Sequence, residues 1–505
     1  MALLSGFDGV ACHRSFTDFP RTIEGGKALG EYDAVALSLS FEGDYPNALR
    51  LLDLGGVPLR SAARGDGDPL VIAGGMAPTL NPEPLAPFVD VFFLGEAEAG
   101  LSRLHAFLAE NRARHRPDLL QDLAEAALPG VYVPSRYRVT EEEGRLVERS
   151  PMGAAPPRVE RVWAPLVWDP ARTHIWAPDG PFLGAYLVEV SRGCSHGCRF
   201  CAAGYAIRPV RYLPRDALDP WVRLGAREFG RVGLVGAAVS DHPAFEDLAR
   251  AILEEGAALS VSSFRVENLT AERMELLARG GLQTLTVALE AGTERLRGLL
   301  GKGIRDDDFL AACRLAGEAG LRSLRIYAMV GLPTETDDDI RALAALVVQA
   351  RRALGGEMVT VSATPFMPKP HTPHQWEVMA PEAVLRARIR LLERLCGRQT
   401  GVRAVAETPK WSRVQGLFSR GGRSVADMLE AAHRTGDWRG ALRSPLAASI
   451  LDRPRALDEQ FPWDFVGGVP GRDHLGREVA SADSGLPPLP CQPGTCRLCG
   501  VCASP

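Results

Sequence analysis

The run VEVSRGCSHGCRFCAAG at residues 188–204 decides the fold. Its opening belongs to an apolar stretch, AYLVEV (185–190), which reads as a buried strand. A glycine-rich loop follows, holding Cys194, Cys198 and Cys201 in a C-x3-C-x2-C spacing. Three thiolates can hold three irons of a [4Fe–4S] cluster and leave the fourth iron open, whereas a closed structural site wants four protein ligands. Gly193 and Gly197 let such a loop wrap closely, and Phe200 can shield a cluster from water. A three-cysteine zinc site completed by His196 is the competing reading of the same residues.

Working outward, the strand that precedes the loop is the first of six. The others are RVGLVGA (231–237), LSVSSF (259–264), TLTVALE (284–290), SLRIYAMV (323–330) and MVTVSATP (358–365). Helical patterns such as DDDFLAACRLAGEAG (306–320) and TDDDIRALAALVVQARRAL (336–354) lie between them. Six β/α units predict an α/β fold, a parallel sheet with right-handed crossovers curled into a partial barrel. In such a fold function sits at the carboxyl ends of the strands. Upstream, AVALSLSF (34–41), PLVIAGG (69–75) and FVDVFFLGEAE (88–98), with a helix pattern from Leu101 to about Leu108, predict a second, Rossmann-like parallel sheet. Gly74 and Gly75 either bring backbone N–H groups to a ligand or only permit a tight turn. The expected organisation is a Rossmann-like domain over 1–138 and a Pro/Trp-rich linker without period over 139–183. A barrel over 184–400 follows, then a carboxyl-terminal region over 401–505 with a small cysteine-rich tail.

Composition bounds the function. The 505 residues are 46% hydrophobic and 24% charged with a net charge of −4, an ordinary globular balance that argues against coating nucleic acid by bulk charge. No apolar run approaches the roughly 20 residues that span a bilayer. The start, MALLSGFDGVACHRSF, lacks the order of a secretory signal, so a cytoplasmic location and no membrane partner are expected. Of the ten cysteines, Cys12, Cys313 and Cys396 stand alone and read as core. A second group, Cys491, Cys496, Cys499 and Cys502, suits either an auxiliary [4Fe–4S] cluster or a structural zinc ion. Lys369, His371 and His374 fall after the sixth strand, and Arg208 and Arg211 just past the cysteine loop. Each of these five holds an anionic substrate, acts in proton transfer or serves a structural turn.

The C-x3-C-x2-C spacing, with an aromatic residue before the last cysteine and the first strand of a six-unit barrel before the loop, resembles the radical S-adenosylmethionine (SAM) enzymes over roughly residues 184–400. The resemblance implies that SAM chelates the open iron. An electron from an external flavodoxin- or ferredoxin-type reductant then cleaves it to methionine and a 5′-deoxyadenosyl radical, which abstracts hydrogen from a substrate. It also implies that Gly236, Ala237 and Ala238 lie near SAM's amino group, in a tripeptide without the acidic residue often found there. Ser262 and Arg265 correspond to contacts of its ribose or carboxylate. Glu290, in VALEAGTERL, and VGLPTET (330–336) resemble the fourth- and fifth-strand segments of the tRNA-modifying branch.

DAVALSLSFEGDYPNALRLLDLGGVPLRS and PLVIAGGMAPTLNPEPLAPFVDVFFLGEAE resemble the cobalamin-binding-type domain that precedes many radical SAM cores. TPFMPKPHTPHQW (364–376), PWDF (462–465) and the terminal C-x4-C-x2-CGVC match one bacterial group of such proteins. The D-x-H-x-x-G loop whose histidine ligates cobalt does not occur, and His13 lies in ACHRSF. Either cobalamin binds without a protein ligand, or the domain is a scaffold in which Glu96 and Glu98 pack or dock. The function implied is C–H activation or methyl or methylthio transfer, with RNA as one substrate class. An iron–sulfur electron-transfer protein without SAM turnover and a cobalamin-dependent methyltransferase are the alternatives.

Overall fold

The computed structural model describes residues 26–165, 169–176, 178, 182, 184–494 and 496–503; Cys12 and His13 lie outside them. Three parallel strands, Ala34–Ser38, Leu70–Gly74 and Val91–Phe93, form the amino-terminal sheet, with Val131–Tyr132 antiparallel on its edge. Gly75 makes a tight turn rather than a cradle. Its φ is +102°, a Cβ there would lie 2.6 Å from the Leu39 carbonyl oxygen, and that carbonyl accepts from the Ala77 N–H at 3.1 Å. Beneath the sheet, Asp90 Oδ2 accepts from Arg64, Arg116 and the Val71 N–H, each at 2.7 Å, which ties three segments of the domain to one buried carboxylate.

The linker read as aperiodic contains a hairpin, Tyr137–Glu142 paired with Arg145–Pro151. Its turn is Glu143–Gly144, and both residues take positive φ, as a two-residue hairpin turn requires. The two strands carry six charged residues (Arg138, Glu141, Glu142, Arg145, Glu148 and Arg149) with Glu143 at the turn, and a bulge at Thr140/Glu141 shifts the register, so no clean alternation shows. As expected, aromatics of this segment pack on neighbours: Trp163 lies under Arg211, and Trp176 meets Phe229.

The second sheet is an arc of parallel strands in chain order: Tyr186–Glu189, Arg231–Val235, Ala258–Ser260, Thr284–Glu290, Ser323–Val330, Met358–Pro365 and Val402–Ala406. A bridge between Phe264 and Val287 joins its first three strands to the last four. The six expected strands are present, the third ending at Ser260, and a seventh is added by the short, arginine-containing VRAVA. Leu285, Val287 and Leu289 are buried in the core that holds the crossover helices, while Thr286, Ala288 and Glu290 alternate onto the other, more open face. Aspartates open the helices Asp306–Glu318 and Asp337–Leu354, and a Thr336/Asp339 capping box starts the second, matching charge to the helix N-terminus.

Residues beyond the arc turn back. Helices Pro409–Arg420, Val425–Thr435 and Pro445–Leu451 share one core with the amino-terminal sheet, Phe418 meeting Tyr45 with ring centroids 5.6 Å apart. Among the described residues no helix is long and apolar enough to cross a membrane.

Candidate functional site

The cysteine loop rises from the carboxyl end of the first arc strand. Ser191–Arg192 pairs antiparallel with Arg211–Tyr212, which closes residues 193–210 into a lobe. Gly193 has φ +74°, and a Cβ there would stand 2.6 Å from the Ile207 carbonyl oxygen, so only glycine fits the neck of the lobe. Inside it the Cys201 N–H donates to the Cys198 carbonyl at 2.9 Å. Cys198 is buried, and Cys194 and Cys201 are half-buried. Burial pushes the Cys194 thiol up to about 12 and the Cys201 thiol up to about 11, so these sulfurs ionise only against compensating positive charge. Arg265 supplies some, its Nη1 lying 3.7 Å from Cys198 Sγ. Phe200 packs against Leu296, Leu300 and Phe366.

His196 is turned away from the role of fourth ligand: its Nε2 lies 2.6 Å from Asp241 Oδ2. Among the described residues no three His, Cys, Asp or Glu side chains are gathered as ligands of a single ion would be. Cluster thiolates each take a separate iron, so three soft, buried or half-buried sulfurs on one lobe fit that donor set.

The residues read as SAM contacts occupy the neighbouring strand ends. Gly236 and Ala238 are half-buried and Ala237 is exposed, immediately after Arg231–Val235. A Cβ on Gly236 would meet Ser191 Oγ at 2.4 Å, which puts this turn against the base of the cysteine lobe. The tripeptide has no acid, but Asp241 follows it and brings a carboxylate to the same strand end. Burial opposes its ionisation, yet His196 and Asn268 hold the carboxyl below its ordinary range. Ser262 is exposed on the loop after the third strand. Glu290 ends the fourth strand at φ +74°, beyond a bulge, with its carboxylate 3.2 Å from Lys302 Nζ. That conformation is strained for a side chain bearing a Cβ and recurs at functional positions. In VGLPTET, Glu335 accepts from the Gly331 N–H at 2.7 Å and from Arg388 at 2.9 Å, bonds that shape the loop itself.

Other candidates serve docking. Lys369 donates to both oxygens of buried Glu42, at 2.6 and 2.7 Å. His371 and His374 are buried, and His371 Nε2 lies 3.1 Å from the Leu80 carbonyl oxygen. Glu96 and Glu98 dock as expected: Glu96 binds Arg211 and Arg192, and Glu98 binds Arg192 at 2.6 Å. Arg208 donates to the Gly204 carbonyl and to His474. Sequence reasoning missed Asp241, Asn268 and Lys302, because none of them stands in the same motif as the residue it meets.

Burial lowers both His371 and His374 to about 3, against an ordinary value near 6.5. Between those values the unfolded chain binds more protons than the folded one. Stability is therefore complete above pH 6.5 and falls as the pH drops towards 3. Each histidine is expected to remove about 2 kcal/mol by pH 5. Urea titrations of the His371→Asn variant, whose new residue tolerates positive φ, should show a correspondingly smaller loss between pH 7 and 5. An unchanged loss refutes the assignment.

The second cysteine group sits beside the first. Cys491, Cys496, Cys499 and Cys502 line one small cavity with Arg208 and His474. The Cys491 N–H donates to the Ser195 carbonyl at 2.7 Å.

Comparison with known proteins follows the same outline. Residues 11–134 match a family described as radical SAM proteins, N-terminal, and residues 188–347 match the radical SAM superfamily. The uncharacterized protein MJ0966 of Methanocaldococcus jannaschii is 28% identical over 404 residues, 80% of this chain and 81% of that protein. PH0819 of Pyrococcus horikoshii, named an uncharacterized methyltransferase, is 24% identical over 163 residues, 31% of this chain and 35% of its own. Among solved structures, TsrM of Kitasatospora setae covers 82% of this chain and 89% of its own with a TM-score of 0.52 at 16% identity. It is described as a radical SAM methyltransferase with cobalamin and a [4Fe–4S] cluster bound; the likeness is one of fold.

Proposed function

The chain belongs to the radical SAM superfamily, and from that premise we propose that it binds a [4Fe–4S] cluster on Cys194, Cys198 and Cys201 and SAM at the adjoining strand ends, for C–H activation or methyl transfer. The observation that carries the proposal is the set of three thiols, one buried and two half-buried, on one lobe at the carboxyl end of the first arc strand, with the Arg265 guanidinium on Cys198. When bound, cluster and SAM together supply the radical or methyl equivalent. The chain's own part is to hold and shield them. Arg265 favours the Cys198 thiolate, the His196–Asp241–Asn268 chain fixes the lobe, and Phe200 with Leu296, Leu300 and Phe366 keeps water from one side.

Gly236, Ala237 and Ala238 leave room for the methionine end of SAM, Ser262 offers a hydroxyl to its ribose, and Glu290, fixed by Lys302, offers a carboxylate. The substrate lies on the inner face of the arc, where Arg325, Tyr327 and Thr364 are exposed. An external one-electron reductant completes the system.

Cobalamin-dependent methyl transfer is the second reading, favoured because the fold match to TsrM extends over 82% of the chain and so takes in the amino-terminal sheet. At that sheet's carboxyl edge Gly75 turns tightly on Leu39, and no side chain there is assigned to cobalt. The experiment is anaerobic reconstitution followed by electron paramagnetic resonance with and without SAM, and product analysis with and without added cobalamin. SAM should perturb the reduced cluster's signal and be cleaved to 5′-deoxyadenosine. Formation of S-adenosylhomocysteine only when cobalamin is present selects the second reading. A cluster signal indifferent to SAM refutes both.

A further inference from the structure

Residues 484–494, SGLPPLPCQPG, cross the cysteine lobe as a strap. A Cβ on Gly197 would stand 2.6 Å from Pro488 Cβ, and one on Gly301 would stand 2.8 Å from Pro488 Cγ, so the proline ring is seated on two bare backbone positions. Arg199, whose side chain is fully buried, donates from Nη2 to the Leu486 carbonyl at 2.6 Å and lies 3.5 Å from Glu478. The Cys491 N–H closes the far end on the Ser195 carbonyl at 2.7 Å. The strap thus touches the lobe beside Cys194 and on both sides of Cys198.

At its start the Leu486 N–H donates to the Ser481 carbonyl at 2.9 Å. Leu486 and Leu489 are each 57% exposed, and the segment takes part in no helix or sheet. A short proline-rich stretch of this kind cannot bury enough apolar surface to fix itself. It does, however, lead directly into the four thiols that line one cavity. Ligation of four cysteines in a small unit supplies folding free energy that packing does not. Those four thiols, within 12 residues of chain, line one small cavity and make a soft donor set that an iron–sulfur group takes.

We propose that Cys491, Cys496, Cys499 and Cys502 hold a second iron–sulfur group, and that this group fastens Leu486–Cys491 over the first cysteine lobe and shields the metal held there. The shielding rests on the reading above, that Cys194, Cys198 and Cys201 carry a cluster.

The test uses the full chain, reconstituted anaerobically, in three variants checked for native circular dichroism. Joint replacement of Cys194, Cys198 and Cys201 by Ala isolates the tail and should leave iron and sulfide bound. Cys499→Ser with Cys502→Ser should keep iron on the first lobe but lose it to a chelator about 10-fold faster than wild type. Pro488→Ala should keep both groups and still speed the loss from the first lobe, separating seat from ligation. Zinc without iron in the first variant overturns the assignment of the tail group, and an unchanged stripping rate in the second overturns the fastening. If wild type holds no more iron than the first variant, the reading of the first lobe fails and takes the shielding with it, while the tail group stands.

Discussion

Cys198→Ala is expected to form no 5′-deoxyadenosine above background after full reconstitution with iron, sulfide, SAM and dithionite. Cys198 is the buried member of the trio, and its sulfur is the one on which Arg265 rests at 3.7 Å. Removing that sulfur takes away one of the three proposed iron ligands and leaves two thiols that burial keeps protonated. Two thiolates cannot support a cluster that already relies on a non-protein fourth ligand. The tail cysteines are untouched by the substitution, so the variant should retain part of its iron, and the decisive reading is product rather than colour. Cleavage of SAM by Cys198→Ala at a wild-type rate would remove the lobe from the chemistry.

Glu96→Ala is expected to cost about 3–5 kcal/mol, the usual loss when one partner of a buried ion pair is removed. Glu96 accepts from Arg211 at 2.5 and 2.8 Å, from Arg192 at 3.0 Å and from the Ala164 N–H at 3.0 Å, with its side chain only 11% exposed. Burial alone would raise the carboxyl's pKa, yet the Arg211 and Arg192 contacts hold it below the ordinary value of 4.5. This stabilisation is present above pH 4.5 and is lost as the pH falls through the lowered value. Alanine would leave the Arg211 guanidinium without its anion against the amino-terminal domain, while Arg192 keeps Glu98 and Glu189. Glu96→Gln keeps the hydrogen-bonding shape and should cost less. The check is urea unfolding at pH 7, followed by fluorescence; two variants within 1 kcal/mol of wild type, a small fraction of that range, would show that the pairs are not what joins the domains.

What was legible depended on how local each feature is. TLTVALE announces a strand because alternate residues go to opposite faces, and Leu285, Val287 and Leu289 are buried as that alternation requires. The grouping of Cys194, Cys198 and Cys201 was equally legible, since three thiols within eight residues need no long-range fold to share one loop. The hairpin at Tyr137–Pro151 was not, because its charge-rich strands and bulge hide the period and only the Glu143–Gly144 turn marks it. Lys369, His371 and His374 looked like a rim because chain position places them after a strand. Their partners, Glu42 and the Leu80 carbonyl, come from a domain nearly 300 residues earlier or more, and no periodicity records such a meeting. The Asp241 carboxylate escaped for a similar reason: its bond to His196 spans 45 residues.

Chain order adds a clock to the strap. Residues 194–201 are synthesised long before residues 486–491, and domains fold as they emerge, so the lobe exists for a time without its cover. On the proposed reading, iron and sulfide delivered during that interval would meet an open lobe, and docking of the tail would then end the interval. A chain halted before Leu486 would present the same open lobe indefinitely to whatever carrier supplies the metal.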